Sequence, residues 1–95
     1  MTAVTAGHVG MSLEGVEPTV LYDIFFEAGT RLGSRYVELA DRAEASGDVQ
    51  SEEFWNRKHS ELNQYRLGVD AHDLQEQKRC YVAWNEEIHA LDALL

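Results

Sequence analysis

The stretch LQEQKRCYVAWNEEIHALDALL, residues 74–95, decides the fold class. Leu74, Tyr81, Ile88 and Leu95 recur every seven residues, and Gln77, Trp84 and Leu91 fall at the alternate position of the same rhythm. This three-four spacing lines the side chains, of which only Gln77 is polar, along one stripe of a helix about 30 Å long. Such a stripe has to be covered by another helix, in this chain or in a second copy. It predicts how the segment packs and leaves open what the packing serves.

Working back from the seam, the third helix is expected over 71–95, with Asp70 as its N-cap and Asp73 completing a variant of the capping box. A second helix is expected over 51–67, with Ser51 as N-cap and Glu52 and Glu53 at the positive end of its dipole. Its apolar face comprises Phe54, Trp55, Leu62, Tyr65 and Val69, with the stem of Lys58 lying among them. That stripe extrapolates to positions 72 and 76, whereas the seam begins at 74 and 77. The phase therefore changes between Gly68 and Asp73, which argues for a break; a single bent helix is the alternative.

The first helix is expected over 18–46. Pro18 suits its first turn and Gly47 its C-terminal stop. It carries two apolar stripes about 100° apart. One is Leu21, Phe25, Ala28, Leu32, Tyr36, Leu39 and Ala43; the other is Tyr22, Phe26, Gly29, Gly33 and Ala40. Two dry faces require two neighbours. Gly29 and Gly33 each weaken a helix interior by about 0.8–1 kcal/mol relative to Ala, so their spacing calls for a close backbone approach. That approach is expected from the third helix or from a second copy. Residues 1–17, with Gly7, Gly10 and Gly15, read as a loose N-terminal arm.

The 95 residues suit one domain, and a chain this short buries only about 60–65% of its unfolded surface, which makes dimerisation a natural supplement. The composition is 44% hydrophobic and 26% charged, which is ordinary for a packed fold rather than a disordered one. Net charge is −9, from 17 acidic and 8 basic residues, and every Lys and Arg lies between Arg31 and Arg79. Such a chain repels phosphate backbones and attracts basic partners. Arg57, Lys58, Arg66, Lys78 and Arg79 are interleaved with a larger number of acids and read as salt-bridged helix surface. One cysteine, Cys80, permits no internal disulfide and favours a reducing, cytoplasmic setting; the N-terminus resembles neither a signal peptide nor a membrane span.

Candidate chemistry is sparse. Glu86 and His89 have the Glu-x-x-His spacing of carboxylate-bridged metal bundles, but with Ile88 in the core both side chains point to solvent. Asp70, His72 and Asp73 sit where a helix needs capping, and His59 with Glu61 lacks the further ligands that a metal requires. Cys80 follows Lys78 and Arg79, whose charge favours a thiolate, yet it borders the seam and reads as a structural thiol. No phosphate loop, nucleophile elbow or paired-cysteine motif occurs.

The expectation is therefore an all-α protein, a three-helix antiparallel hairpin or small bundle with coiled-coil-like packing, completed by homodimerisation. Functionally it reads as a non-enzymatic acidic interaction module without cofactor, binding a protein partner through Tyr22, Phe26, Gly29, Gly33 and Ala40. Two alternatives accompany it. One is a nucleic-acid mimic presenting Glu86, Glu87 and Asp92, and the other a helical-bundle metalloprotein using Glu86 and His89.

Overall fold

In the computed structural model, which describes residues 13–95, three helices account for the fold and no strand occurs among the described residues. They are α1 (Pro18–Ala45), α2 (Val49–Gly68) and α3 (Leu74–Asp92). The first twelve residues of the expected arm lie outside the described residues. Among those described, no helix is long and apolar enough to cross a membrane.

The turn between α1 and α2 is a Schellman closure. Gly47 adopts φ 77°, its N–H donates to the Glu44 carbonyl, and the Asp48 N–H donates to the Ala43 carbonyl. Asp48, not Ser51, caps α2: its carboxylate accepts from the Ser51 N–H at 3.1 Å and from the Ser51 hydroxyl at 2.7 Å. The expected cap of α3 shifts in the opposite direction. Asp73 caps the helix by accepting from the Glu76 N–H, while Asp70 accepts from the His72 N–H within the preceding turn. The cap lies three residues before the expected Ser51 in α2 and three residues after the expected Asp70 in α3, because apolar periodicity locates a helix end only to about a turn.

The break after Gly68 is real, and α2 and α3 are separate helices. α1 and α2 form an antiparallel hairpin: Gly29 meets Arg66, Gly33 meets His59, and the ring of Tyr36 stacks on Trp55. α3 instead runs parallel to α1, with Phe25 stacked on Trp84, Arg35 bound to Asp92 and Arg42 reaching the Leu95 carbonyl. Both flanking helices pack on α1, while their own backbones stay apart. The Cα framework measures 47 × 32 × 14 Å, a thin layer with α1 at its centre.

The core gathers Leu32, Tyr36 and Leu39 of α1, Leu62 of α2, and Ile88 and Leu91 of α3, with Trp55, Trp84 and Leu95 packed against them. Gln77, Tyr81, Ile88 and Leu91 of the heptad seam are buried, and Leu74, Trp84 and Leu95 are half-buried. The seam thus packs within the chain. Its polar member has a purpose: buried Gln77 donates from Nε2 to the Asp70 and Ala71 carbonyls, joining the first turns of α3 to the loop before it. Burial is uneven. α2 spans 20 residues and buries only the side chain of Leu62.

Candidate protein-interaction surfaces

The proposed partner stripe on α1 divides. Gly29, Gly33 and Ala40 are buried in the chain's own interior. A Cβ on Gly29 would lie 2.7 Å from Arg66 Cδ and 3.2 Å from Trp84 Cζ3, and one on Gly33 would lie 3.1 Å from the His59 ring. The close approach therefore comes mainly from α2 rather than α3 or another copy. Arg66 seals this crossing. Its guanidinium stands 4.1 Å from the Phe26 ring centre, and Nη1 donates to the Phe26 carbonyl and the Thr30 hydroxyl, both at 2.8 Å. Tyr22 and Phe26 remain half-buried, and with Asp23, Glu27 and Thr30 they shape a shallow aromatic ledge.

The acidic trio also divides. Glu86 is exposed, whereas Glu87 is half-buried and accepts a short hydrogen bond from the Tyr36 hydroxyl. Asp92 is held by Arg35 at 2.7 Å. Of the three carboxylates, only Glu86 makes no such bond to its own fold. His89 is exposed beside Glu86, and among the described residues no three His, Cys, Asp or Glu side chains converge to hold a metal ion.

Tyr36 reaches Glu87 from a site only 2% exposed. Burial, followed by the hydrogen bond and charge of Glu87, raises its phenol above the usual value of 10. The contribution of a raised phenol is complete below the unfolded value and disappears as pH climbs through the folded one. Tyr36→Phe is expected to cost about 1–3 kcal/mol at neutral pH, because the half-buried carboxylate loses its donor. It should also flatten the alkaline decline. Urea unfolding at neutral pH and at about pH 11 measures both effects.

A second surface lies between α2 and α3. Leu32 and Tyr36 of α1 form its floor; Lys58, Glu61, Leu62 and Tyr65 make one wall, and Trp84 and Glu87 the other. The Lys58 ammonium sits 5.7 Å from the centre of the Tyr36 ring, so its stem does lie on the apolar face. Phe54 and Tyr65 are 43% and 48% exposed, although they belong to the face expected to be covered. The α2 and α3 backbones do not meet, but side chains seal the groove between them, leaving Leu32 1% and Tyr36 2% exposed.

At the end of the groove, Arg79 and Tyr65 both donate to Glu76, and these bonds, that of Arg79 foremost, lower its carboxyl to about 2. Cys80 lies under this cluster, 1% exposed, with its thiol 3.6 Å from Glu76. Burial and the adjacent Glu76 carboxylate push that thiol up to about 11, outweighing the lowering by Arg79. A role as reactive thiolate is therefore opposed by the site itself. Modification by an aromatic disulfide reagent should run at least about 100-fold slower in native protein than in denaturant. Comparable rates in the two states would show that Cys80 is accessible.

Comparison of the chain with protein-family models, with curated proteins and with solved structures found no match. Three contributors escaped the sequence reading: Arg66 as a seal, Glu87 as the Tyr36 acceptor, and Asp48 as a cap. Asp48 carried a legible signal, an acid just past a helix-stopping Gly. The other two form contacts across 40 and 51 positions, for which periodicity offers no sign.

Proposed function

We propose that this chain is a non-enzymatic, acidic protein-interaction module that acts by presenting helical surface to another protein. One observation carries the reading: α2 buries a single side chain while Phe54, Tyr65 and Leu67 stay exposed. A helix gains most of its stability in a protein by burying an apolar face, and this one has apolar side chains left over. The ledge of Tyr22 and Phe26 and the groove beside Tyr65 are the two surfaces available. The negative charge adds long-range attraction for a basic partner.

Self-association covers the same side chains in another way, and salt separates the two. Copies carrying −9 each repel, so a homodimer should tighten as salt rises, whereas a complex with a basic partner should weaken. Sedimentation of the purified chain at low and high salt measures the first. Affinity capture from native host extract measures the second, comparing wild type with Tyr22→Ala, Phe26→Ala and with Phe54→Ala, Tyr65→Ala. A partner lost from one double variant supports the reading and locates the contact. Equal recovery with both variants, in a chain that stays monomeric, rejects it.

A further inference from the structure

We propose that the exposed ridge of α2 pairs antiparallel with the same ridge of a second copy, about a two-fold axis passing between His59 and Ser60. The inference goes beyond the interaction-module reading, since it assigns α2 to self-pairing and leaves the ledge of Tyr22 and Phe26 in each copy to another protein. α2 faces α1 with Trp55, His59, Leu62 and Arg66. At about 100° per residue, Phe54, Lys58, Glu61 and Tyr65 lie roughly a quarter turn round from that stripe. The Cα framework is only 14 Å thick, so this ridge points out of the layer, and Phe54, Glu61 and Tyr65 are exposed on it. The pairing needs no channel. It is made by side chains that already stand on the surface, while Leu32 and Tyr36 stay covered.

The order of residues along the ridge selects the occupant. Ser51, Phe54, Lys58, Glu61, Tyr65 and Gly68 follow the three-four rhythm of a two-helix seam. From either end the chemistry runs alike: a small residue, an aromatic ring, a charge. An antiparallel copy centred between His59 and Ser60 therefore sets Phe54 against Tyr65, Lys58 against Glu61 and Ser51 against Gly68, each layer occurring twice. A parallel copy would set Lys58 against Lys58 and Glu61 against Glu61. Among the described residues neither Lys58 nor Glu61 has an ion pair within the chain, so both charges are available to the second copy. Of the three helices, only α2 has as many bases as acids, with Arg57, Lys58 and Arg66 against Glu52, Glu53 and Glu61. On a chain of net charge −9, it is where two copies approach with the least repulsion.

Sedimentation of the purified full chain, at concentrations up to about 200 µM, tests the pairing with no other protein present. The wild type should dimerise, and more tightly as salt screens the charge on each copy. Lys58→Glu and Glu61→Lys should each weaken the dimer about tenfold or more, because like charges then meet in two layers. Glu61→Lys is the sharper of the two, since it reduces the net charge that keeps copies apart and would otherwise favour association. The double variant Lys58→Glu, Glu61→Lys restores opposite charges in both layers, and its dimer should return to within about threefold of wild type. An equimolar mixture of the two single variants should also dimerise better than either variant alone. Phe54→Ala should weaken the dimer about tenfold by emptying both aromatic layers. Circular dichroism of every variant should match the wild type, because each substitution lies on the surface of α2.

A wild type that stays monomeric at the highest concentration overturns the proposal. So does a dimer that ignores both single variants, or one that the double variant fails to restore. If the pairing fails while host capture still depends on Tyr22 and Phe26, the α2 assignment falls and the interaction-module reading stands. If the charge swap restores the dimer and capture depends on neither surface, the pairing stands and that reading falls.

Discussion

Phe25→Ala is expected to destabilise the fold by about 3–5 kcal/mol, the range for removing a fully buried aromatic side chain. Phe25 is 0% exposed, and its ring stacks on Trp84 at a centroid distance of 5.4 Å, with Tyr22 at 5.8 Å on the same helix. It is the principal aromatic contact holding α3 parallel to α1. Truncation removes both the transferred surface and the stacking partner of Trp84. The cavity cannot close easily, because α2 holds α1 from another side through Arg66 and His59. Small domains have about 5–10 kcal/mol in total, so this loss is a large fraction. The thermal midpoint followed by circular dichroism at 222 nm should fall by about 12 °C or more. A change of less than about 1 kcal/mol would show that Phe25 does not bridge the two helices. Phe25→Leu, which keeps part of the volume, should cost about 1.5 kcal/mol.

The second large effect belongs to the α1–α2 crossing. Gly29→Leu, Gly33→Leu should destabilise by a net of about 2–4 kcal/mol, the strain of overpacking less the helix propensity regained at each site. At Gly29 the added carbon drives Arg66 out of its seat, and with it go the donors to the Phe26 carbonyl and the Thr30 hydroxyl. At Gly33 the obstacle is the His59 ring, 3.1 Å from the added carbon and a rigid group with fewer torsions than an arginine. Because α2 buries little else, it is the helix expected to detach. Amide hydrogen exchange should show protection lost through α2 and retained in α1 and α3. Uniform loss across all three helices would make the domain a single cooperative unit and overturn the prediction that α2 is the weak element. Gly33→Ala is near break-even, since a contact at 3.1 Å must relax while about 1 kcal/mol of propensity returns.

These two variants probe the two faces of α1, and their different characters explain how far each face could be read. The stripe through Leu21, Phe25 and Leu32 consists of large apolar side chains at helical spacing, a pattern whose only stable outcome is burial. The stripe through Gly29 and Gly33 consists of absences. Small residues announce that something comes close and say nothing about what, so the expectation of α3 or a second copy missed the helix that comes closest, α2. The seam of α3 has a similar limit: its spacing demanded a partner helix, yet parallel and antiparallel packing on α1 use the same seven positions. What selects the parallel direction is the connection, since α2 carries the chain back along α1 and Gly68 to Asp73 reverses it again.

The acidic surface shows the same division at the level of single side chains. Glu86, Glu87 and Asp92 are alike in composition and differ in fate. Glu87 faces the Tyr36 hydroxyl, Asp92 faces Arg35, and Glu86 faces water. Phase along the helix separated Glu86 from the core correctly. It had no means of finding a tyrosine hydroxyl and a guanidinium on another helix.

By itself, then, the amino-acid sequence determined the helical class, the phase change before Asp73 that favours three helices, and the α3 seam as a face that another helix must cover. All follow from local propensity and from the 3.6-residue period, which act within a few turns of chain. Only the tertiary structure decided that α2 covers the glycines, that Arg66 seals the crossing, and that the α2 and α3 backbones stand apart. Those features arise from contacts far apart in sequence, Gly33 with His59 and Phe26 with Arg66 among them, where side-chain size and hydrogen-bond geometry in three dimensions choose among partners that periodicity leaves equivalent.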